Sequence, residues 1–247
     1  MCWSASASVG MVAIGGVAAG VSWARGDPKA IWLTLGYFTF MEGLQAAGYA
    51  VIDQCTDPAN KALAWGSYLH IAFQPIAVNA FAMALAPVAL AARDQRIVYG
   101  LAILASAIMI LQTLPISYLG TCDPNSPLCG LVTCVISGDW HQGWTLPLNG
   151  LFNTWPDISA FLTPFPTYFL AVFLMPIFYG AWRFALFHLI LGPVAADLLT
   201  SNPHEMPAIW CLFSIGIAIV ALSPKVRYGL FGARHLTRVI PESLQAR

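Results

Sequence analysis

Charged side chains are scarce in this sequence. They make up 9% of its 247 residues, against roughly 25% in soluble domains. So few charges cannot cover a water-facing surface, so lipid must cover much of the outside. An excess of one sign is also missing. The 11 basic and 11 acidic residues balance, which argues against the basic face that a nucleic-acid-binding protein needs. Walker A, G-x-G-x-x-G, H-E-x-x-H and G-x-S-x-G patterns are absent, which disfavours ATP-driven and dinucleotide-dependent chemistry. No lysine lies inside a hydrophobic run, since Lys29, Lys61 and Lys225 fall at ends or in loops. That disfavours a retinal-type Schiff base. The start, Met1-Cys2-Trp3-Ser4, lacks the positive residues of a signal peptide, so the first hydrophobic run reads as a retained helix. No fixed-period repeat, low-complexity tract or second domain is visible.

What is abundant is apolar sequence: 58% hydrophobic residues and a mean hydropathy of +0.70. Uncharged apolar runs of about 20 residues mark spanning helices. Seven such runs occur, at about 5–24, 30–52, 62–92, 97–118, 161–181, 183–201 and 206–223. The Gly192-Pro193 pair predicts a kink in the sixth. With seven crossings, ten basic residues collect on one side: Arg25, Lys29, Arg93, Arg96, Arg183, Lys225, Arg227, Arg234, Arg238 and Arg247. Only Lys61 falls on the other. The positive-inside rule makes the ten-residue side cytoplasmic. The expectation is an all-α, seven-helix transmembrane domain over 1–224, N-terminus outside, in the plasma (inner) membrane of the cell. A basic cytoplasmic tail over 225–247 would lie against anionic lipid. Residues 119–160 form one long extracytoplasmic loop without Lys or Arg, a length that usually signals function or tethering.

The six cysteines all fall on the outer side or near it. Disulfides that pin the long loop to helix ends are the leading reading, with 15 pairings open. Cys122-x6-Cys129-x4-Cys134 is not a standard zinc spacing. Cys2 offers an amine and a thiolate for metal chelation if Met1 is removed.

Ionisable residues inside spans are functional candidates by default. Glu42, Gln45, Tyr49 and Asp53 share one helix face. Ser67, His70 and Gln74 share another, at similar depth. Gln112 lies in the outer half of the fourth run, Asp197 ends the sixth, and His204 and Glu205 open the seventh. The predicted site is an outward-facing polar pocket lined by Glu42, Gln45, His70, Gln74 and Asp197, with His204 and His141 at its mouth. The alternative is interhelical hydrogen bonding alone. His188 reads as structural or as a separate site, and Asn79 as structural, serving a carbonyl freed by Pro75.

Three functions compete. A divalent metal such as zinc, held by His70, His204 and either Glu42 or Asp197, would activate water, with the remaining carboxylate as base and Gln45 and Gln74 lining the cofactor site. An ion or proton transporter would relay through Glu42, His70 and Asp197. An accessory subunit would hold a cofactor or join partner membrane subunits.

The phrases Met1-Cys2-Trp3-Ser4, Leu35-Gly36-Tyr37-Phe38 with Met41-Glu42 and Leu44-Gln45, Tyr68-Leu69-His70-Ile71 with Phe73-Gln74-Pro75, and Trp140-His141 with Leu146-Pro147 and Asn149 resemble an uncharacterised family of small multi-span membrane proteins. That resemblance implies the architecture and no activity. Ser67 with His70, Asp197 and His204 also resemble the zinc set of the alkaline ceramidase and progestin/adipoQ receptor superfamily. This sequence departs from that set in lacking the paired histidines on the last helix, in the three-residue spacing of Ser67 and His70, and in the outward placement of its pocket.

Overall fold

The computed structural model describes residues 4–153, 165–213 and 215–232. Eight helices and one small hairpin account for its regular structure: α1 (Ala5–Ala24), α2 (Lys29–Gly48), α3 (Pro58–Leu85), α4 (Ala92–Leu111), β1 (Cys134–Ser137), β2 (Gln142–Thr145), α5 (Pro166–Phe178), α6 (Trp182–Leu199), α7 (Met206–Leu222) and α8 (Pro224–Phe231). Four of them, α1, α3, α4 and α6, are long and apolar enough to cross a membrane; α7 and α8, bent by 97° where Pro224 begins α8, make a fifth if taken as one span. α2 matches α1 in length, but Thr34, Tyr37, Thr39, Glu42 and Gln45 make it less apolar. The described part of α5 is shorter still. This is the helix set of a membrane protein, and the described residues carry fewer apolar spans than the seven hydrophobic runs predict.

Helix boundaries follow local chemistry. Ser4 caps α1, its hydroxyl accepting from the Ala7 N–H at 3.4 Å. Asp57 caps α3 in the same way at Ala59, with Pro58 in the first turn. α3 stops at Leu85 because Pro87 forces Ala86 into an extended conformation. The predicted third run overshoots that point, and α4 begins earlier than predicted, taking Arg93 and Arg96 into its first turns. At the other end of α4, Asn149 donates from Nδ2 to the carbonyls of Leu111 and Leu114, both at 2.9 Å. Its backbone N–H reaches the Gln112 carbonyl at 2.7 Å.

Two helices widen into π turns, at Leu170–Leu174 in α5 and Ile190–Val194 in α6. The first leaves one carbonyl that needs a donor from elsewhere. In the wider register the carbonyl of Ala171 would face Pro176, which has no N–H. Asn79 of α3 supplies the donor instead, at 2.8 Å, while also bonding Pro75's own carbonyl at 2.8 Å. Asn79 therefore stitches α3 to α5, and neither carbonyl it bonds is the predicted one, that of Ile71, which Pro75 frees. In α6 the π turn sits at the predicted Gly192-Pro193 kink. Gly192 is obligatory there, because a Cβ would stand 2.4 Å from the indole nitrogen of Trp210.

The ends of the molecule differ in chemistry. At one end Arg227 of α8 pairs with Asp27 at 3.1 Å, Arg25 bonds the Leu222 carbonyl and Arg183 the Gly229 carbonyl. At the other end β1 and β2 form an antiparallel hairpin, Cys134 opposite Thr145 and Ser137 opposite Gln142. The Cys55–Cys134 disulfide ties β1 to the α2–α3 loop, and Cys122–Cys129 closes a short ring within the same cap. Asn60, fully buried, reinforces the tie. Its amide donates to the carbonyls of Val51 and Val135 and its oxygen accepts from the Val135 N–H. The predicted pinning of the long loop to a helix end is thus met by one disulfide; Cys2 lies outside the described residues. Large apolar side chains such as Val17, Phe40, Leu104 and Ile219 face outward, as lipid-covered helices require.

Candidate functional site

α2 provides the first wall of a buried polar seam. Glu42, Gln45 and Gly48 recur at helical spacing and all are buried. Glu42 is 1% exposed, and neither carboxyl oxygen has a hydrogen-bond partner among the described residues. One turn nearer the cap, Gln45 donates from Nε2 to the Ala208 carbonyl of α7 at 3.3 Å, leaving its Oε1 without a partner. After a further turn Gly48 makes room for Gln142 of β2. A Cβ at position 48 would stand 2.7 Å from Gln142 Oε1. Neither polar atom of the Gln142 amide is bonded among the described residues. An unsatisfied buried polar group costs roughly 1–3 kcal/mol, so a run of them marks a place where something polar belongs.

α3 provides the second wall. His70 stacks on Tyr37 with ring centroids 3.9 Å apart. Its Nε2 faces the Tyr37 carbonyl at 2.8 Å, and the Tyr37 hydroxyl donates to the His70 carbonyl. Nε2 therefore carries the proton, and Nδ1 is left to accept from Gln74 Nε2 at 3.4 Å. Gln74 Nε2 also lies 3.4 Å from Cys211 Sγ, and its Oε1 accepts from the Tyr168 hydroxyl. His70 and Gln74 are thus engaged with protein on all sides.

Registration sets the levels. His70 lies against Tyr37 and Gly66 against Leu44, so Ser67 stands at the height of Glu42. The Ser67 hydroxyl is buried and without a partner among the described residues. Antiparallel α7 meets Gln45 through Ala208, so Cys211, one turn on, also reaches the height of Glu42. Glu42 and Cys211 are within electrostatic reach of each other.

The cap closes the seam. Glu205, fully buried at the start of α7, receives the backbone N–H groups of Asp139 at 3.0 Å, Trp140 at 2.6 Å and His141, along with the Thr200 hydroxyl at 3.2 Å. Its carboxylate holds the hairpin turn onto the helix bundle. Gly138 is required beside it, since a Cβ there would meet Glu205 Oε2 at 2.6 Å. His141 Nδ1 accepts from the Gln142 N–H at 2.7 Å and lies 3.3 Å from the Tyr49 hydroxyl. Burial pushes the His141 imidazole down to about 3. Burial also lowers His204 below the ordinary histidine range. The His204 carbonyl accepts from the Trp144 N–H at 3.2 Å, anchoring β2.

The predicted residues therefore separate. Glu42, Gln45, His70 and Gln74 share the seam between α2, α3 and α7. Asp197 is exposed on α6 and does not line it. His204 lies in the α6–α7 connection, above the seam. The zinc set predicted from His70, His204 and Glu42 or Asp197 is not gathered: among the described residues no three His, Cys, Asp or Glu side chains stand as metal ligands. Both nitrogens of His70 already face protein partners. The donors present do not fit a tetrahedral ion, and no metal-dependent step follows from them. His188 lies apart from the seam residues, its Nε2 accepting from the Trp210 indole at 3.3 Å. Tyr37, Tyr168, Cys211, Gln142 and the carboxylate role of Glu205 are additions the sequence does not announce.

These features define a helical membrane protein whose buried polar seam is roofed at one end by a disulfide-tied hairpin. The chain belongs to a family of unknown function, DUF5765, which it matches over residues 6–231. The resemblance to an uncharacterised family drawn from its sequence phrases is thereby met at that level. No curated protein and no solved structure matches the chain, and nothing found supports a relation to the ceramidase and progestin/adipoQ receptor superfamily.

Proposed function

We propose that this is a seven-span protein of the plasma membrane, N-terminus outside and C-terminus cytoplasmic, that binds a small polar ligand in an outward-capped pocket centred on Glu42. The observation that carries this reading is the Glu42 carboxyl, 1% exposed and without a hydrogen-bond partner among the described residues. Its immediate neighbours in depth, Gln45 Oε1 and Ser67 Oγ, are unsatisfied too. Orientation draws support from the two ends. Arg25, Arg183 and Arg227 gather at one, and both disulfides lie at the other. Passage onward to the cytoplasm is not part of this reading, because Tyr37, His70, Gln74 and Tyr168 fill the seam below Glu42. Bilayer lipid covers the apolar outer faces.

Access tests the proposal. In a Cys2→Ser, Cys211→Ser background, Gln45→Cys is reconstituted into liposomes and exposed to a small membrane-impermeant thiol reagent. Modification from the face bearing the disulfides alone is the expected result. Modification from the opposite face alone, or from neither face at any exposure time, overturns it.

A further inference from the structure

Resting on that reading, we infer that the ligand is a small monovalent cation held by the carboxylate of Glu42 and the neutral oxygens of Gln45 and Ser67. The unsatisfied atoms at this level are acceptors: both oxygens of Glu42, Oε1 of Gln45, and the Ser67 hydroxyl, which accepts as readily as it donates. The amide donor nearest to them, Gln45 Nε2, already gives one of its two N–H groups to the Ala208 carbonyl. An occupant that satisfies the acceptors must therefore bring positive charge or N–H groups, and an anion would face the Glu42 oxygens.

Charge balance narrows the choice. The one ion pair among the described residues, Arg227–Asp27, lies at the far end. No lysine or arginine of α2, α3 or α7 stands at the level of Glu42; Lys29 and Lys61 sit in the first turns of their helices. An ionised carboxyl buried here without a counter-charge is costly. One external positive charge cancels it, whereas a divalent ion would leave an uncompensated charge in the membrane interior. The donors are oxygens, which suits a hard alkali ion or an ammonium group rather than a soft transition metal. Gln74 closes the floor through Cys211, and Gln142 and Glu205 of the capped end close the roof, so the cation sits within a defined height of the seam.

The test uses the full chain in lipid nanodiscs, with choline chloride holding ionic strength constant. Sodium, potassium and methylammonium chloride are titrated separately, beside acetamide as a neutral polar probe, and Tm is read from intrinsic fluorescence. One of the three cations is expected to raise Tm saturably, by about 2–4 °C for each kcal/mol of linked binding. Glu42→Gln abolishes the shift. Ser67→Ala, which removes one neutral oxygen, raises the half-saturating concentration several-fold while leaving the cation-free Tm nearly unchanged. Infrared difference spectra give a second readout. A protonated-carboxyl band, present in cation-free protein and missing in Glu42→Gln, is expected to vanish on addition of the stabilising cation. If acetamide stabilises in a Glu42-dependent way and no cation does, the cation assignment fails and the polar pocket survives. If no probe shifts Tm and the carboxyl band never changes, Glu42 is a permanently protonated core residue, and both the inference and the pocket fail.

Discussion

At the scale of single residues, the cap is held by one carboxylate. Glu205 meets three consecutive backbone N–H groups and a hydroxyl. Glu205→Ala leaves those donors buried and unpaired, and is expected to destabilise the cap by about 3 kcal/mol. Hydrogen exchange at residues 139–141 reports the loss locally, where it accelerates before the transmembrane helices do. The neighbouring His141 makes the cap sensitive to acid. Its folded pKa is depressed to about 3 by burial, below the ordinary value near 6.5. As pH falls below about 6.5 the unfolded chain takes up a proton that the folded chain refuses until about pH 3. Stability then falls by up to about 1.4 kcal/mol per pH unit across that window. His141→Asn, which retains an acceptor for the Gln142 N–H, is expected to flatten the Tm-against-pH curve between those values. Little of this is legible in the sequence. Glu42, Gln45, His70 and Gln74 stand out because polar residues in apolar runs are conspicuous. Glu205 lies at a helix start, where acids are ordinary, and its partners are backbone atoms of a loop some sixty residues earlier. Asp197 misleads for a related reason: one charge near a helix end is compatible with either face, and the π turn preceding it changes which face that is.

At the scale of elements, proline and asparagine act together. Asn79 compensates the π turn of α5 by bonding the Ala171 carbonyl, and it receives the Tyr179 hydroxyl at 2.8 Å. Asn79→Leu is expected to cost about 1–3 kcal/mol in detergent unfolding and to loosen α5 from α3, because a carbonyl and a hydroxyl lose their partners together. The sequence shows Pro75, Pro176 and Pro193 plainly. It does not show that a helix will widen by one residue per turn instead of kinking, since that outcome depends on a donor from another helix. Helix starts with a side-chain cap are readable within a few residues, as at Ser4 and Asp57, whereas the Ala86-Pro87 step ends α3 well before the predicted residue 92. The hairpin was not readable: Cys134–Ser137 and Gln142–Thr145 are strands of four residues in a loop rich in turn formers, and β1 is held from outside by Asn60, by the Cys55 disulfide and by Asp53, whose N–H donates to the Val135 carbonyl and whose Oδ1 accepts from the Ser137 N–H.

At the scale of the whole molecule, the gathering of basic residues at one end is the property most legible in the sequence, and the sidedness proposed from it is open to direct test. Alternation of basic residues along the chain predicts which ends lie together, and Arg25, Arg183 and Arg227 do share one end. The number of crossings is less secure in composition alone, because polar residues that build the seam reduce the apolarity of α2. Reporter fusions decide it. A cytoplasm-active reporter joined after residue 247 and an export-active reporter inserted beside Lys61 are expected both to function. Activity of the opposite pair would reverse the orientation, and activity of both fusions in one compartment would require an even number of crossings between them.

The Cys55–Cys134 bond joins positions 79 apart in the chain, and α3 and α4 lie wholly between them. Those two helices thus belong to a covalent ring. A single cut by a protease anywhere inside that ring leaves the two fragments attached, so nicked protein migrates intact on a non-reducing gel and falls apart only when thiol is added.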